Sequence, residues 1–233
     1  MGREFDRNMF IMLLAVMVGV SIITFFAADL IARTDEGEKH KIEIESIEQQ
    51  NTNFTTRLLS SLGYLDRARE SRSEGNYHYD LAYLWYSSAL VLTDNETLNA
   101  YKNSTFDNCS LAIESFTLGF SNFGVAQDQF EVTLTYSQDF SNLVNLYIDL
   151  AKSAGNLCQL RINASTCILY LAENLTLIDG SAGFSGNVSD LNDLLNQTIE
   201  DYNNELINNY GKISNSIEKE YNIVGFSEIR EEY

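Results

Sequence analysis

A chain of 233 residues with three cysteines, no proline and a formal net charge of −18 at neutral pH has the length for one domain with a substantial core. Its acidity repels nucleic acid and anionic headgroups, which excludes nucleic-acid binding. The odd number of widely spaced cysteines, with no Cys-x-x-Cys among them, excludes a disulfide framework and a zinc knuckle, and the absence of the strongest helix breaker favours an all-α body.

Residues 1–8 form a short polar start carrying Arg3 and Arg7, read as a cytoplasmic tail. Met9 to Ala28, MFIMLLAVMVGVSIITFFAA, is twenty residues without a charge. As a helix it rises ~30 Å, the thickness of the hydrocarbon core of a bilayer. It reads as a single transmembrane anchor; a cleaved signal peptide would have a shorter apolar run and a better site than Phe26-Ala27-Ala28-Asp29. Basic residues flank both ends and leave the orientation open. Residues 29–43 are a polar juxtamembrane stalk containing His40, and beyond residue 33 there are 12 Lys and Arg against 30 Asp and Glu.

The all-helical domain is expected over residues 44–226, followed by a tail at 227–233. Ile44, Ile47, Phe54, Leu58, Leu62 and Leu65 recur near heptad spacing, with Asn51 at a core position. This 44–65 segment fits either a helix of an intramolecular bundle or a self-associating coiled coil. Gly75-Asn76 then separates two helical patterns, the second carrying Ala82, Tyr86, Ala89 and Leu90, and a related spacing returns at Ala112, Phe116, Gly119 and Phe120. The pattern Ala-x3-Tyr-x2-Ala-Leu after Gly-Asn-Tyr resembles the second helix of a tetratricopeptide repeat, over about residues 64–120. The first-helix Trp-x2-Leu-Gly pattern and the closing proline of such repeats are missing. The resemblance implies packed helical hairpins that present surfaces to other proteins; an ordinary helical core with Ala and aromatics at this spacing reads the same way.

Thr93-Asp94-Asn95-Glu96 has the form of a capping box with Thr93 as the cap, opening a helix to about Gly119 or Gly124. Further helices are expected from Val125 to Tyr136, from Asp139 to Ala154 with Gly155 as its C-terminal cap, and from Asn156 to Ile178. Asp179 to Ser189, rich in Gly and Ser, reads as a loop. Leu195, Ile199, Tyr202, Leu206, Tyr210, Ile213, Ile217, Tyr221 and Val224 then follow an eleven-residue repeat. That period stays on one face of a straight helix, with Gly211 marking a close helix crossing.

Few residues suggest chemistry. His78 reads as a capping or partly buried histidine, and no metal, calcium-loop or phosphate-cradling pattern occurs. No catalytic, cofactor or metal residues are assigned, and no cofactor is expected. Cys109 could pair with Cys158 or Cys167 in an oxidising compartment, or all three could be buried thiols. Asn-x-Ser/Thr acceptors occur at Asn53, Asn95, Asn103, Asn108, Asn163, Asn174, Asn187 and Asn196, all beyond the apolar run. Chance in an Asn-rich domain gives roughly half as many, which favours a glycosylated domain outside the cell. The resulting expectation is a membrane-anchored, non-enzymatic scaffold, adaptor or subunit of a cell-surface complex with a protein partner. The alternative is a tethered ligand-binding sensor that signals through a partner.

Overall fold

The computed structural model describes residues 37–136 and 140–223. The apolar run at 9–28, the tail at 1–8, most of the stalk and the tail at 227–233 lie outside them. Among the described residues the protein is mostly helical. Helix α1 runs Gly37–Ala89, α2 Asn95–Thr133, α3 Ser141–Asn174, α4 Ser189–Glu205 and α5 Gly211–Ile223, the last two joined without a break by a π-helical turn at Leu206–Tyr210. A two-stranded antiparallel hairpin, β1 (Leu175–Ile178) and β2 (Ser181–Phe184), follows α3. No helix among the described residues is long and apolar enough to cross a membrane.

The helices are longer than their glycines suggest. Gly75 does not break α1, Gly119 and Gly124 do not break α2, and Gly155 does not end α3. The reason lies in the buried stripes. On α1 the inward positions are Phe54, Leu58, Ser61, Leu65, Ala68, Arg72, Gly75, Tyr79, Ala82, Tyr86 and Ala89, in alternating steps of four and three. From Ser61 onward one heptad position is small (Ser61, Ala68, Gly75, Ala82, Ala89). The same holds on α2 for Thr105, Ala112, Gly119, Ala126 and Thr133, and on α3 for Val144, Ala151, Cys158, Ser165 and Ala172. A strict seven-residue stripe is the packing register of left-handed helical bundles, and small side chains in it let helix backbones approach closely. A Cβ on Gly75 would stand 2.7–2.9 Å from the Phe116 ring, and one on Gly119 3.4 Å from the backbone of Ala68 and Arg72. These glycines are contact points. The tetratricopeptide-like turn at Gly75-Asn76 is therefore absent, and the hairpin that forms instead turns at Leu90–Asp94.

Other boundaries move for local reasons. Asp94, not Thr93, caps α2: its Oδ1 accepts the Thr97 amide at 2.8 Å, and that bond holds its carboxyl below the usual range. After Asn174 the chain leaves the helix for a hairpin at whose turn Asp179 and Gly180 both take positive φ (52° and 81°). Two left-handed residues make the tight turn that an Asp-Gly pair favours between strands. The expected helix to Ile178 thus stops at Asn174, and part of the expected loop is β2. Gly211 also has a local role. Its amide bonds to the Leu206 carbonyl, five residues back, and a Cβ there would meet that oxygen at 3.2 Å; it accommodates the π turn.

The chain divides into two compact units. One gathers the described residues up to Gly63, Ala126–Asp149 and those from Ile213 on. Its core holds Phe54, Leu58, Leu62, Phe130, Leu143, Val144, Tyr147 and Ile217, with Phe54 stacked on Phe140 and Phe130 on Tyr147 at centroid distances of 5.4 and 5.2 Å. The other unit, Tyr64–Val125 and Leu150–Lys212, is built on Leu65, Phe116, Phe123, Leu157, Ile168 and Leu171, all essentially inaccessible to solvent. The β-hairpin covers one end of it: Leu177, Ala182 and Phe184 pack on Ala89, Leu98 and Leu175, and the Ala182 amide bonds to the Leu92 carbonyl. Lys102 Nζ donates to the carbonyls of Glu173 and Leu175 at 3.3 and 2.6 Å, satisfying the end of α3.

Gly75→Ala is expected to destabilise the protein by about 1–3 kcal/mol, because its methyl must displace a buried ring. Gly124→Ala, which meets nothing within 4 Å, should be neutral or up to ~1 kcal/mol stabilising. Urea unfolding of the two variants checks this: an alanine at Gly75 that costs no more than the one at Gly124 would show that position 75 is not a close contact.

Candidate functional site

The second unit presents three surfaces with distinct chemistry. The first is the outer face of the α1–α2 pair. His78 Nδ1 donates to Asn108 Oδ1 at 3.1 Å, and Trp85 meets Tyr101 edge-on at 4.9 Å, which fixes the antiparallel register. Pointing away from the core, Tyr77 and Leu84 on α1 are 62% and 54% exposed, and Leu111 and Leu118 on α2 are 44% and 55% exposed. Each pair is seven residues apart, two helical turns. Glu74, Asp80, Asp107 and Glu114 are exposed on the same two helices, and exposed Arg67 lies near the level of Leu118. Exposed apolar side chains with polar neighbours are the usual mark of an interaction surface.

The second surface is internal. Arg161 of α3 lies between the rings of Tyr79 and Tyr202, its guanidinium carbon 4.0 and 3.8 Å from their centroids. Arg72 lies over Tyr210 at 4.6 Å and donates to its hydroxyl at 3.3 Å. Arg161 Nε and Arg72 Nη1 are buried without a hydrogen-bond partner; the ring faces take the place of a counter-ion. Burial pushes the Tyr210 phenol up, but the Arg72 and Arg69 guanidiniums outweigh it and leave it below the ordinary tyrosine value. Tyr79 stays above that value, because its burial outweighs Arg161. These contacts fasten α4 and the π turn to α1 and α3.

The third is an open groove between α3 and α4, about 480 Å³, lined by Asn156, Gln159, Asp201, Asn204, Asn208 and Asn209. Glu205 at its floor is held on both oxygens, by Ser153 Oγ at 2.5 Å and Asn209 Nδ2 at 2.6 Å. The carboxamides suit polar neutral molecules better than anions.

The expected site residues fall as follows. Cys109, Cys158 and Cys167 are free and buried, so the pairing of Cys109 with Cys158 or Cys167 is not made. Burial pushes the Cys109 and Cys158 thiols up to about 12 and raises Cys167. Asn53, Asn95, Asn103, Asn163, Asn187 and Asn196 are exposed. Asn108 and Asn174 are half-buried, their amide nitrogens bonded to the Ser104 and Tyr170 carbonyls. Thr105, Ser165 and Thr198, the hydroxyl partners of Asn103, Asn163 and Asn196, are buried, since residues two apart on a helix face opposite ways. His78 is the half-buried histidine anticipated from sequence. No group of three or more His, Cys, Asp or Glu able to hold a metal occurs among the described residues.

No protein family, curated protein or solved structure matches this chain. The site must be read from its own residues. The outward rows were missed in the sequence because the reading followed Ala82, Tyr86 and Ala89 on the inner face; the seven-residue recurrence of Tyr77 with Leu84 and of Leu111 with Leu118 was the available signal.

Native protein at pH 8 should leave all three thiols unmodified by iodoacetamide, and denaturant should expose all three to it, read as mass increments. In an alkaline absorbance titration one tyrosine should ionise below the usual value of about 10. Tyr210→Phe should remove that early step.

Proposed function

We propose that this protein is a membrane-anchored, non-enzymatic scaffold or adaptor that holds its helical body outside the cell and engages a second protein there. The reading is supported by the uncharged Met9–Ala28 run, long enough to span a bilayer. The Asn-x-Ser/Thr acceptors lie beyond it, six of them on exposed asparagines. The observation that carries it is the exposure of Tyr77, Leu84, Leu111 and Leu118 on α1 and α2, apolar surface that the fold of its own unit leaves uncovered.

A sensor that binds a small polar ligand is the second reading, and the carboxamide groove between α3 and α4 favours it. The groove is open to solvent, whereas ligand pockets bury most of the ligand. The scaffold reading comes first for that reason.

Glycosidase treatment should lower the apparent mass, and Asn→Gln at Asn53, Asn95 and Asn187 should each remove one increment. The buried Thr105, Ser165 and Thr198 mean that any sugar on Asn103, Asn163 or Asn196 is added before the helices pack. In intact cells, benzoylphenylalanine placed at Leu84 or Leu118 should crosslink to one envelope protein under light. The same probe at Asp193 should not. Equal labelling at all three positions, or a monomer without adducts, overturns the scaffold reading; a small molecule that raises the melting temperature and is blocked by Asn204→Ala would replace it with the sensor.

A further inference from the structure

We infer that the groove between α3 and α4 binds a neutral, hydroxyl-rich molecule, a saccharide. The inference rests on the ligand-binding reading of this groove and names the class of ligand. The groove encloses about 480 Å³, within the range of small-molecule sites. Its walls offer hydrogen bonds of both kinds. Gln159 Nε2 donates to Asn163 Oδ1 at 3.1 Å, and Asn209 Nδ2 to Glu205 Oε2 at 2.6 Å. Those bonds orient the two carboxamides and leave their carbonyl oxygens unengaged as acceptors. The side chains of Asn156, Asn204 and Asn208 bond to no described residue and bring donors and acceptors alike. A sugar hydroxyl is itself both donor and acceptor, so it pairs with either end of a carboxamide.

Other ligands fit less well. No Lys or Arg lines the groove, which disfavours an anion. Glu205 has both oxygens engaged, by Ser153 and Asn209, and Asp201 has one engaged by Gln197. Too little carboxylate is left for a metal ion or a strongly cationic molecule. Leu160 is the one apolar side chain in the lining, so an apolar ligand gains little by burial. The open side also agrees with a saccharide. Hydroxyls that face water stay hydrated there, without the cost of burying them unpaired. Finally, Asn208 and Asn209 belong to the π turn at Leu206–Tyr210. Such turns inside α-helices are frequent at functional sites, and this one sets two consecutive carboxamides on a single wall.

The test uses the full-length chain in zwitterionic nanodiscs, made in bacteria so that it carries no sugar of its own. The probes are maltose, lactose, cellobiose and N,N′-diacetylchitobiose, with spermidine and citrate as charged counterparts. Each is added at about 10 mM, enough to fill most of a millimolar site. At least one disaccharide should raise the melting temperature by about 2–5 °C. Asn156→Ala with Asn204→Ala should abolish that shift, and Asp193→Ala, outside the groove, should keep it. Circular dichroism checks that the double variant is folded. Retention of a high-mannose glycoprotein over its deglycosylated form on immobilised nanodiscs assigns the sugar to a partner protein. A disaccharide shift without that retention assigns a free ligand. No shift from any disaccharide together with equal retention of the two glycoprotein forms overturns the inference, as does a shift that survives in the double variant. A shift from spermidine or citrate alone, lost in the double variant, defeats the saccharide and leaves the ligand-binding reading standing.

Discussion

Close approach of helix backbones is the constraint on which the rest of this structure depends. Each of the three long helices keeps one heptad position small or β-branched over five successive occurrences, on α1 from Ser61 to Ala89. Where the small residue is glycine the fit leaves no room for a methyl, as Phe116 over Gly75 illustrates. Dense packing of this kind favours helices that run on without a break, because a proline in the stripe would interrupt the hydrogen bonding and force neighbours apart. The absence of proline from the whole chain accords with that demand.

The fourth helical segment is held differently. Its stripe repeats every eleven residues, and the π turn at Leu206–Tyr210 inserts a residue in the middle of it. In place of a small-residue seam it is fastened by Arg72 and Arg161 stacked on tyrosine rings. Guanidinium is the cation best suited to this, being planar and weakly hydrated. The outcome is a division of labour within the second unit: α4 and α3 cover the polar and aromatic side of α1, and the opposite side of the α1–α2 pair remains open with its apolar rows.

Much of this was legible in the sequence, and the failures have physical causes. The stripe from Leu195 to Ile217 was readable because its members are large and apolar, and they are the residues turned inward, Leu195, Tyr202 and Ile217 most deeply. The stripe of α1 was hidden because Ser61, Arg72 and Gly75 interrupt its hydrophobicity, so a contact glycine was taken for a turn. The same error ended α3 at Gly155 and split α2 near Gly124. The Asp179-Gly180 hairpin turn had a clear signature, which the surrounding Gly and Ser obscured. The apolar face could not be told from core by pattern alone: Tyr77 and Leu84 are as hydrophobic as the residues that pack, and only burial separates them.

The hairpin at the end of α3 has a practical corollary. Its strands are anchored by the Leu92 and Asn174 carbonyls, while Asp179 and Gly180 at the tip are exposed. Foreign sequence is best tolerated at such tips. An epitope or a small fluorophore spliced between those two residues would ride on a rigid base, and would report which side of the bilayer the body occupies without disturbing the helical seams.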